Sequence, residues 1–162
     1  MTMNALFDVE TFLAASGIPY ESVFFKVERH DTSICVNDGE IDPHTIYKTL
    51  ALTGNTTGPI IAVVPLDCRL SYKKLAKVSG NKKVGLIPDQ QLEQTTGYIH
   101  GTNNPLGIWF TKQYPIYIDQ QSIEPKRIYI SNGHLGRGVK IDIIHLTDLV
   151  DARLYDLIEE KE

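Results

Sequence analysis

"TLALTGNTTGPIIAVVP", residues 49 to 65, reads as two apolar runs joined across "GNTTGP", a connector of hairpin length with glycine at both ends. The first run, "TLALT", alternates in the manner of a strand with one face inward. The second, "IIAVVP", is β-branched and apolar almost throughout, as a strand deep in a sheet would be. An antiparallel hairpin therefore sits at the centre of the expected fold. Just upstream, Asp42-Pro43 is a helix-start signal, so "PHTIYK" is expected to form a short helix leading into the first strand.

Downstream, "RLSYKKLAKVSGNKK" (69–83) predicts a helix opened by Ser71 and stopped by Gly80. At 100° per residue Lys73, Lys74 and Lys77 share one arc, and Tyr72, Leu75 and Ala76 share the opposite one. "PDQQLEQTTG" predicts a further helix capped by Asp89 and closed by Gly97. After it, "IWF", "PIYID", "RIYISNG" and "GVKIDII" read as strands, and Thr147 is expected to cap a last helix carrying Leu149, Val150, Leu154, Leu157 and Ile158. Near the start, Leu6, Val9, Phe12 and Leu13 repeat at helical spacing before Gly17 and Pro19. "YESVFFKV" then reads as a strand, and Asp31 to Glu40 as a loop with at most one helical turn. Short neighbouring strands with scattered helices make a mixed α/β domain, its sheet largely antiparallel with helices packed on it.

The 162 residues, with no repeat, low-complexity tract or linker, fit a single domain over 1–162. With 42% hydrophobic and 22% charged residues the chain reads as a globular one. No apolar run reaches the ~20 residues that span a bilayer, so no membrane partner is expected. The acidic N-terminus does not resemble a signal peptide. Cys35 and Cys68, the only cysteines, lack CxxC spacing, which favours a reduced, cytoplasmic setting. Net charge is −4, but its distribution is uneven. Six basic residues and no acid fall between Arg69 and Lys83, whereas Asp148 to Glu162 holds six acids. The basic run is either a solvated face or a patch that meets phosphates.

Familiar catalytic patterns are missing. The histidines at 30, 44, 100, 134 and 145 do not fall at metal-ligand spacing, and there is no G-x-S-x-G elbow or P-loop, so neither a metal nor another cofactor is expected. "GHLGRG" between two strands reads as a hairpin turn, and the cysteines as small packed side chains. Three features remain. "GYIHGTNNPLG" (97–107) holds more glycine than a connector needs, as if backbone N–H groups must come close to a ligand. Lys48 stands among Ile46, Tyr47, Leu50 and Leu52, where it either stretches to water or offers a cation at the mouth of a pocket. The third is the basic run.

"IYKTLAL", "AVVPLDCRLSYKKLAKVSGNKKV", "TTGYIHGTNNPLG" and "IYISNG", in this order, resemble the YbaK/EbsC family of aminoacyl-tRNA deacylases, most strongly from Asp42 to Gly107. The resemblance implies one α/β domain around a mixed, partly barrel-like sheet. It implies cleavage, by hydrolysis or with the substrate's assistance, of the ester joining a wrong amino acid to the 3′ adenosine of a tRNA, with Cys-tRNA(Pro) or Cys-tRNA(Cys) the expected substrate. Lys48, followed by Thr49, matches the family's lysine, and Gly101 through Thr102 to Pro105 matches its glycine-x-x-x-proline loop. Ser131 matches a serine on a late strand. Lys48 and Gly101 are thus the expected catalytic groups, with Thr49, Thr102, Pro105 and Ser131 about the substrate. Arg69, Lys73, Lys74, Lys77, Lys82 and Lys83 would meet the tRNA acceptor end, and prolyl-tRNA synthetase is the protein partner the family suggests.

Two positions depart from the family's pattern. Glu28 stands two residues before the pair His30-Asp31, where relatives carry an aromatic residue, and Lys140 stands where they carry an aspartate, with Asp142 nearby as a substitute. Glu28, His30, Lys140 and Asp142 are therefore expected to border the amino-acid pocket. Glu28 is expected to pair with Lys140, or Lys140 with Asp142, narrowing the pocket toward small residues such as cysteine or alanine. A deacylase for another small amino acid, and a catalytically weak tRNA-binding or regulatory domain of the same fold, are the alternatives.

Overall fold

The computed structural model describes residues 7–30, 33–36 and 41–160, of which 27–30 and 33–36 are described by their backbone alone. Helix α1 (Val9–Ala15) starts at Asp8, whose carboxylate accepts the Thr11 N–H, and buries Val9 and Leu13. Leu6 of the expected stripe lies outside the described residues. The strand expected over "YESVFFKV" is two strands, β1 (Glu21–Phe24) and β2 (Val27–His30). Part of the expected loop is a strand as well. β3 (Ser33–Val36) pairs antiparallel with β2, in keeping with the β-branched and small residues of "SICV".

The helix expected over "PHTIYK" shrinks to one 3-10 turn, Pro43–Thr45, capped by Asp42. Ile46 and Tyr47 are buried and turn extended instead, because the following strand, β4 (Tyr47–Gly54), pairs along its full length with β5 (Gly58–Pro65). Sheet pairing outweighs the local helix signal. The register runs from Tyr47 opposite Pro65 to Gly54 opposite Gly58.

Beyond the hairpin, α2 (Tyr72–Ser79) has the expected ends: Ser71 accepts the Lys74 N–H, and Gly80 takes the left-handed conformation. The hairpin loop is tied to the segment after α2. Asn81 Oδ1 accepts the N–H groups of Thr56 and Thr57, and Asn55 Oδ1 accepts those of Lys82 and Lys83, all at 2.9–3.0 Å. A Cβ on Gly54 would lie 2.3 Å from the Asn81 side chain, so this close approach requires glycine. β6 (Val84–Leu86) then adds to the other edge of β4.

α3 (Asp89–Thr96) closes at Gly97 as expected, but Pro88, not Asp89, is its N-cap, and no side chain bonds there. The strand expected at "IWF" is part of a helix, α4 (Pro105–Lys112). Its start lies inside the glycine loop: Asn104 Oδ1 accepts the Gly107 N–H, and Pro105 takes the first helical position. β7 (Ile116–Asp119), β8 (Arg127–Ser131) and β9 (Arg137–Asp142) follow, the last two joined by the expected turn over "GHLGRG". α5 (Ile143–Leu149) begins at Asp142, whose carboxylate accepts the Ile144 N–H, rather than at Thr147. A turn with Asp151 at φ +51° ends the helical stretch, so Leu154 lies in a short strand, β10 (Arg153–Tyr155).

Among the described residues the strands form a five-stranded sheet in the order β10-β7-β5-β4-β6, a three-stranded sheet β1-β9-β8, and the β2-β3 pair. β5–β7 and β7–β10 are parallel, and the other pairs are antiparallel. A bridge between Ile46 and Tyr129 joins the two larger sheets, and neither of them closes into a barrel. The fold is mixed α/β, as expected, with β5 at its centre. Ile60, Ala62 and Val64 pack on one side with Leu75 and Ala76 of α2, and Ile61 and Val63 pack on the other with Leu106, Ile108, Ile130 and Leu146. Burial of both faces is what the unbroken "IIAVV" run encodes. No helix among the described residues is long and apolar enough to cross a membrane.

Candidate active site

A cleft of about 270 Å³ opens where the two larger sheets meet, beside the glycine loop. β4 contributes Lys48 and Thr49, the loop contributes His100, Gly101 and Asn103, and the end of β8 contributes Ser131. Residues 83 positions apart in the chain thus share one wall, because Ile46, just before β4, is bridged to Tyr129 in the middle of β8. Much of the remaining lining is apolar, including Ile87, Leu92 and Ile130.

The Lys48 ammonium is half-buried, and loss of solvation is the largest influence on it, holding its pKa below the ordinary lysine value. Cys68 and Asp67 work against that shift, while Arg69 adds to it. A partly desolvated cation is costly to the fold and useful to a bound anion, the combination typical of functional groups. Lys48 makes no salt bridge within the described residues. Two hydroxyls of the same wall, Tyr47 and Thr49, are buried without a hydrogen-bond partner there, and burial pushes the Tyr47 phenol well above its usual range.

The glycine loop is not a slack connector. Asn103 and Asn104 are buried, and the Thr96 hydroxyl donates to Asn103 Oδ1 at 2.8 Å. A Cβ at Gly107 would meet the Tyr98 hydroxyl at 1.9 Å, which requires glycine for packing alone. Gly101 differs: it is exposed on the cleft wall with φ +90°, and its N–H donates no backbone hydrogen bond within the described residues. The next residue, Thr102, is buried and spends its N–H and hydroxyl on the Ile99 carbonyl. Ser131 stands between cleft and loop, donating to the Thr102 carbonyl at 3.4 Å and accepting the Gly133 N–H.

The structure therefore brings Lys48, Thr49, Gly101 and Ser131 to one cleft, whereas Thr102 and Pro105 are buried and do not line it. Lys140 and Asp142 do not line the cleft. Lys140 lies over the Tyr129 ring, 5.4 Å from its centre, and Asp142 caps α5. Among the described residues these two make no ion pair with each other. The side chains of Glu28 and His30, and with them the Glu28–Lys140 pairing, lie outside the described residues.

Sequence reasoning missed several lining residues. Phe25, His100, Leu135 and Arg137 stand on the cleft wall, the last two from the "GHLGRG" turn. That turn is present as expected, and it carries a cation: Arg137 lines the cleft and lies over the Phe24 ring at 5.3 Å. Phe24 and Arg137 are brought together only by the pairing of β1 with β9, so no local sequence signal marked this cation. In the basic run, Arg69, Lys73, Lys77, Lys82 and Lys83 are exposed. Lys74 is already engaged, by Asp156 at 2.9 Å and the Ile158 carbonyl at 2.7 Å.

The cleft thus offers a half-buried ammonium, a positive-φ glycine and hydroxyls without partners among the described residues. The model of the aminoacyl-tRNA editing domain matches residues 26–149, and the chain belongs to that family. A relative named as a Cys-tRNA(Pro)/Cys-tRNA(Cys) deacylase, EbsC of Enterococcus faecalis, is 44% identical over 103 residues. The match covers 64% of this chain and spans 60% of that relative's length. Among solved structures, one described as a trans-editing enzyme for prolyl-tRNA synthetase superposes with a TM-score of 0.68 at 21% identity, covering 75% of this chain and 74% of that one. A second, hypothetical protein APE2540, gives 0.77 at 22% identity over 93% and 99% of the two chains. These similarities show the fold.

Proposed function

We propose that the chain is a trans-editing aminoacyl-tRNA deacylase, acting as one domain in the cytoplasm on the cysteinyl ester of a mischarged tRNA. The observation that carries this reading is the convergence of Lys48 and Gly101 on one cleft. An aminoacyl ester is already activated, so no strong nucleophile is needed. Water adds to the ester carbonyl carbon, the bond to the ribose oxygen breaks, and that oxygen takes up a proton to restore the 3′ end. Negative charge develops on the carbonyl oxygen, where the Lys48 ammonium and the Gly101 N–H can meet it. Thr49, Tyr47 and Ser131 line the wall against which the amino acid or the ribose would lie. The reading is tested with a panel of aminoacyl-tRNAs given to the purified chain. Cys-tRNA(Pro) is expected to lose its amino acid fastest, with Ala-tRNA the nearest competitor. A panel in which no ester turns over faster than in buffer would reject the activity.

The acceptor stem is proposed to lie along the exposed basic residues, since Arg69 is close enough to Lys48 to influence its charge. Prolyl-tRNA synthetase is the proposed donor of the mischarged tRNA. Reversing Lys73 and Lys77 to glutamate is expected to weaken tRNA binding and flatten its salt dependence by about two ions, roughly one for each phosphate no longer neutralised. An unchanged affinity and slope, measured between low and moderate salt, would make the run a solvated face.

A further inference from the structure

His44 leads into β4, and Asp67 and Cys68 follow the end of β5, so the pairing of these strands brings the three together across 24 residues of sequence. His44 Nδ1 lies 2.9 Å from Asp67 Oδ1 and 3.9 Å from Cys68 Sγ, and the Cys68 sulfur lies 3.6 Å from the same Asp67 oxygen. A tetrahedral ion with ligand bonds of about 2.0–2.3 Å holds its ligand atoms about 3.3–3.8 Å apart, so one ion would need only small adjustments of these three atoms.

We propose that His44 Nδ1, Asp67 Oδ1 and Cys68 Sγ form a three-donor site for a borderline transition-metal dication, foremost Zn²⁺. One imidazole, one carboxylate and one thiolate are a donor set suited to this class, and the sulfur disfavours Mg²⁺ and Ca²⁺. Gln121 lines the same recess as His44, the place for the kind of outer partner that fixes the orientation of a ligating histidine. His44 and Cys68 face a recess distinct from the Lys48 cleft; on its wall Asp156 is paired with Lys74, and Glu159 and Glu160 are left to favour entry of a cation. On binding, the thiol proton leaves to solvent and the Nδ1 proton, which otherwise bridges to Asp67, moves to the other ring nitrogen or to solvent. The fourth position is left for water. Such an ion would clip the two ends of the hairpin that carries Lys48. The proposal does not depend on the deacylase reading.

The test is titration of the reduced, tag-free chain with Co²⁺ alone and then with Zn²⁺. One equivalent of Co²⁺ is expected to give the visible bands of tetrahedral cobalt and a near-ultraviolet thiolate band, both bleached by Zn²⁺. Zn²⁺ is also expected to raise the melting temperature, since it binds only the folded site. Loss of a direct ligand in Cys68→Ser or His44→Gln is expected to lower Zn²⁺ affinity by at least the ~10–100-fold typical of outer-partner loss, and to abolish the melting shift. Circular dichroism of each variant confirms that it is folded, and Cys35→Ser, which leaves the three donors in place, is expected to keep the band. Absence of the bands in the parent chain, or a thiolate band that survives Cys68→Ser and vanishes with Cys35→Ser, would overturn the proposal.

Discussion

Lys48→Ala is expected to lower deacylation by about 10²–10³-fold or more, the scale of losing one group that meets a developing oxyanion. The fold is expected to survive, because desolvation already disfavours the buried charge and nothing among the described residues pairs with it. Lys48→Met, which keeps the stem and removes the charge, separates the roles: its melting temperature is expected to equal or exceed the parent's while activity stays lost. Lys48→Arg is expected to fail as well, since a planar fork cannot replace a compact ammonium in a narrow cleft. The pH dependence follows from the sign of the shift. The active form is protonated and its pKa is lowered, so the catalysed rate, corrected for hydroxide hydrolysis, is expected to fall with rising pH before the ordinary lysine range is reached. Near-normal turnover by a folded Lys48→Ala protein would remove the residue from the mechanism.

The second large effect is expected at Gly101. A valine there meets a backbone held at φ +90°, which costs about 1–2 kcal/mol of stability for an L-residue, and it moves or shields the N–H on the cleft wall. The rate per folded molecule is expected to fall about 10²-fold. Gly97 supplies the control. It also has positive φ, at +88°, in the same connector but away from the cleft. Gly97→Ala is therefore expected to lose stability comparably while its folded fraction keeps full activity. Equal activity in the folded fractions of both variants would make Gly101 a purely structural glycine.

The central hairpin was legible because two independent signals agree on it: "IIAVV" can be satisfied only by burial on both faces, and glycine stands at both ends of the connector. Ser71 and Gly80 marked α2 for a similar reason, since each does a local job at its own position. The errors fell where tertiary structure overrides a local preference. "IWF" is too short a run for its period to be read, and its helix starts at Asn104, hidden among turn residues. "PHTIYK" carries a valid cap but ends in residues the sheet claims. Asp142 looked like part of a pocket and instead caps α5, a role its β-strand neighbours disguise. The cleft was partly legible through Lys48, because a lone lysine among apolar residues is informative at the level of sequence. Arg137 was not, since a turn residue's direction depends on how two strands pair. The His44, Asp67 and Cys68 cluster was invisible for the same reason: its spacing is set by the length of the hairpin, not by any motif.

The central claim is that one cleft, bounded by Lys48, Gly101 and Ser131, receives the aminoacylated 3′ adenosine. It is tested most directly by titrating the chain with a non-hydrolysable analogue, cysteine joined by an amide to 3′-amino-adenosine, and following backbone amides by NMR. The account predicts that the largest saturable shifts fall at Lys48, Thr49, Gly101 and Ser131, with little change at His44 and Cys68. Shifts confined to the Arg69–Lys83 run, or saturation that leaves the Gly101 and Lys48 amides unmoved, would contradict it.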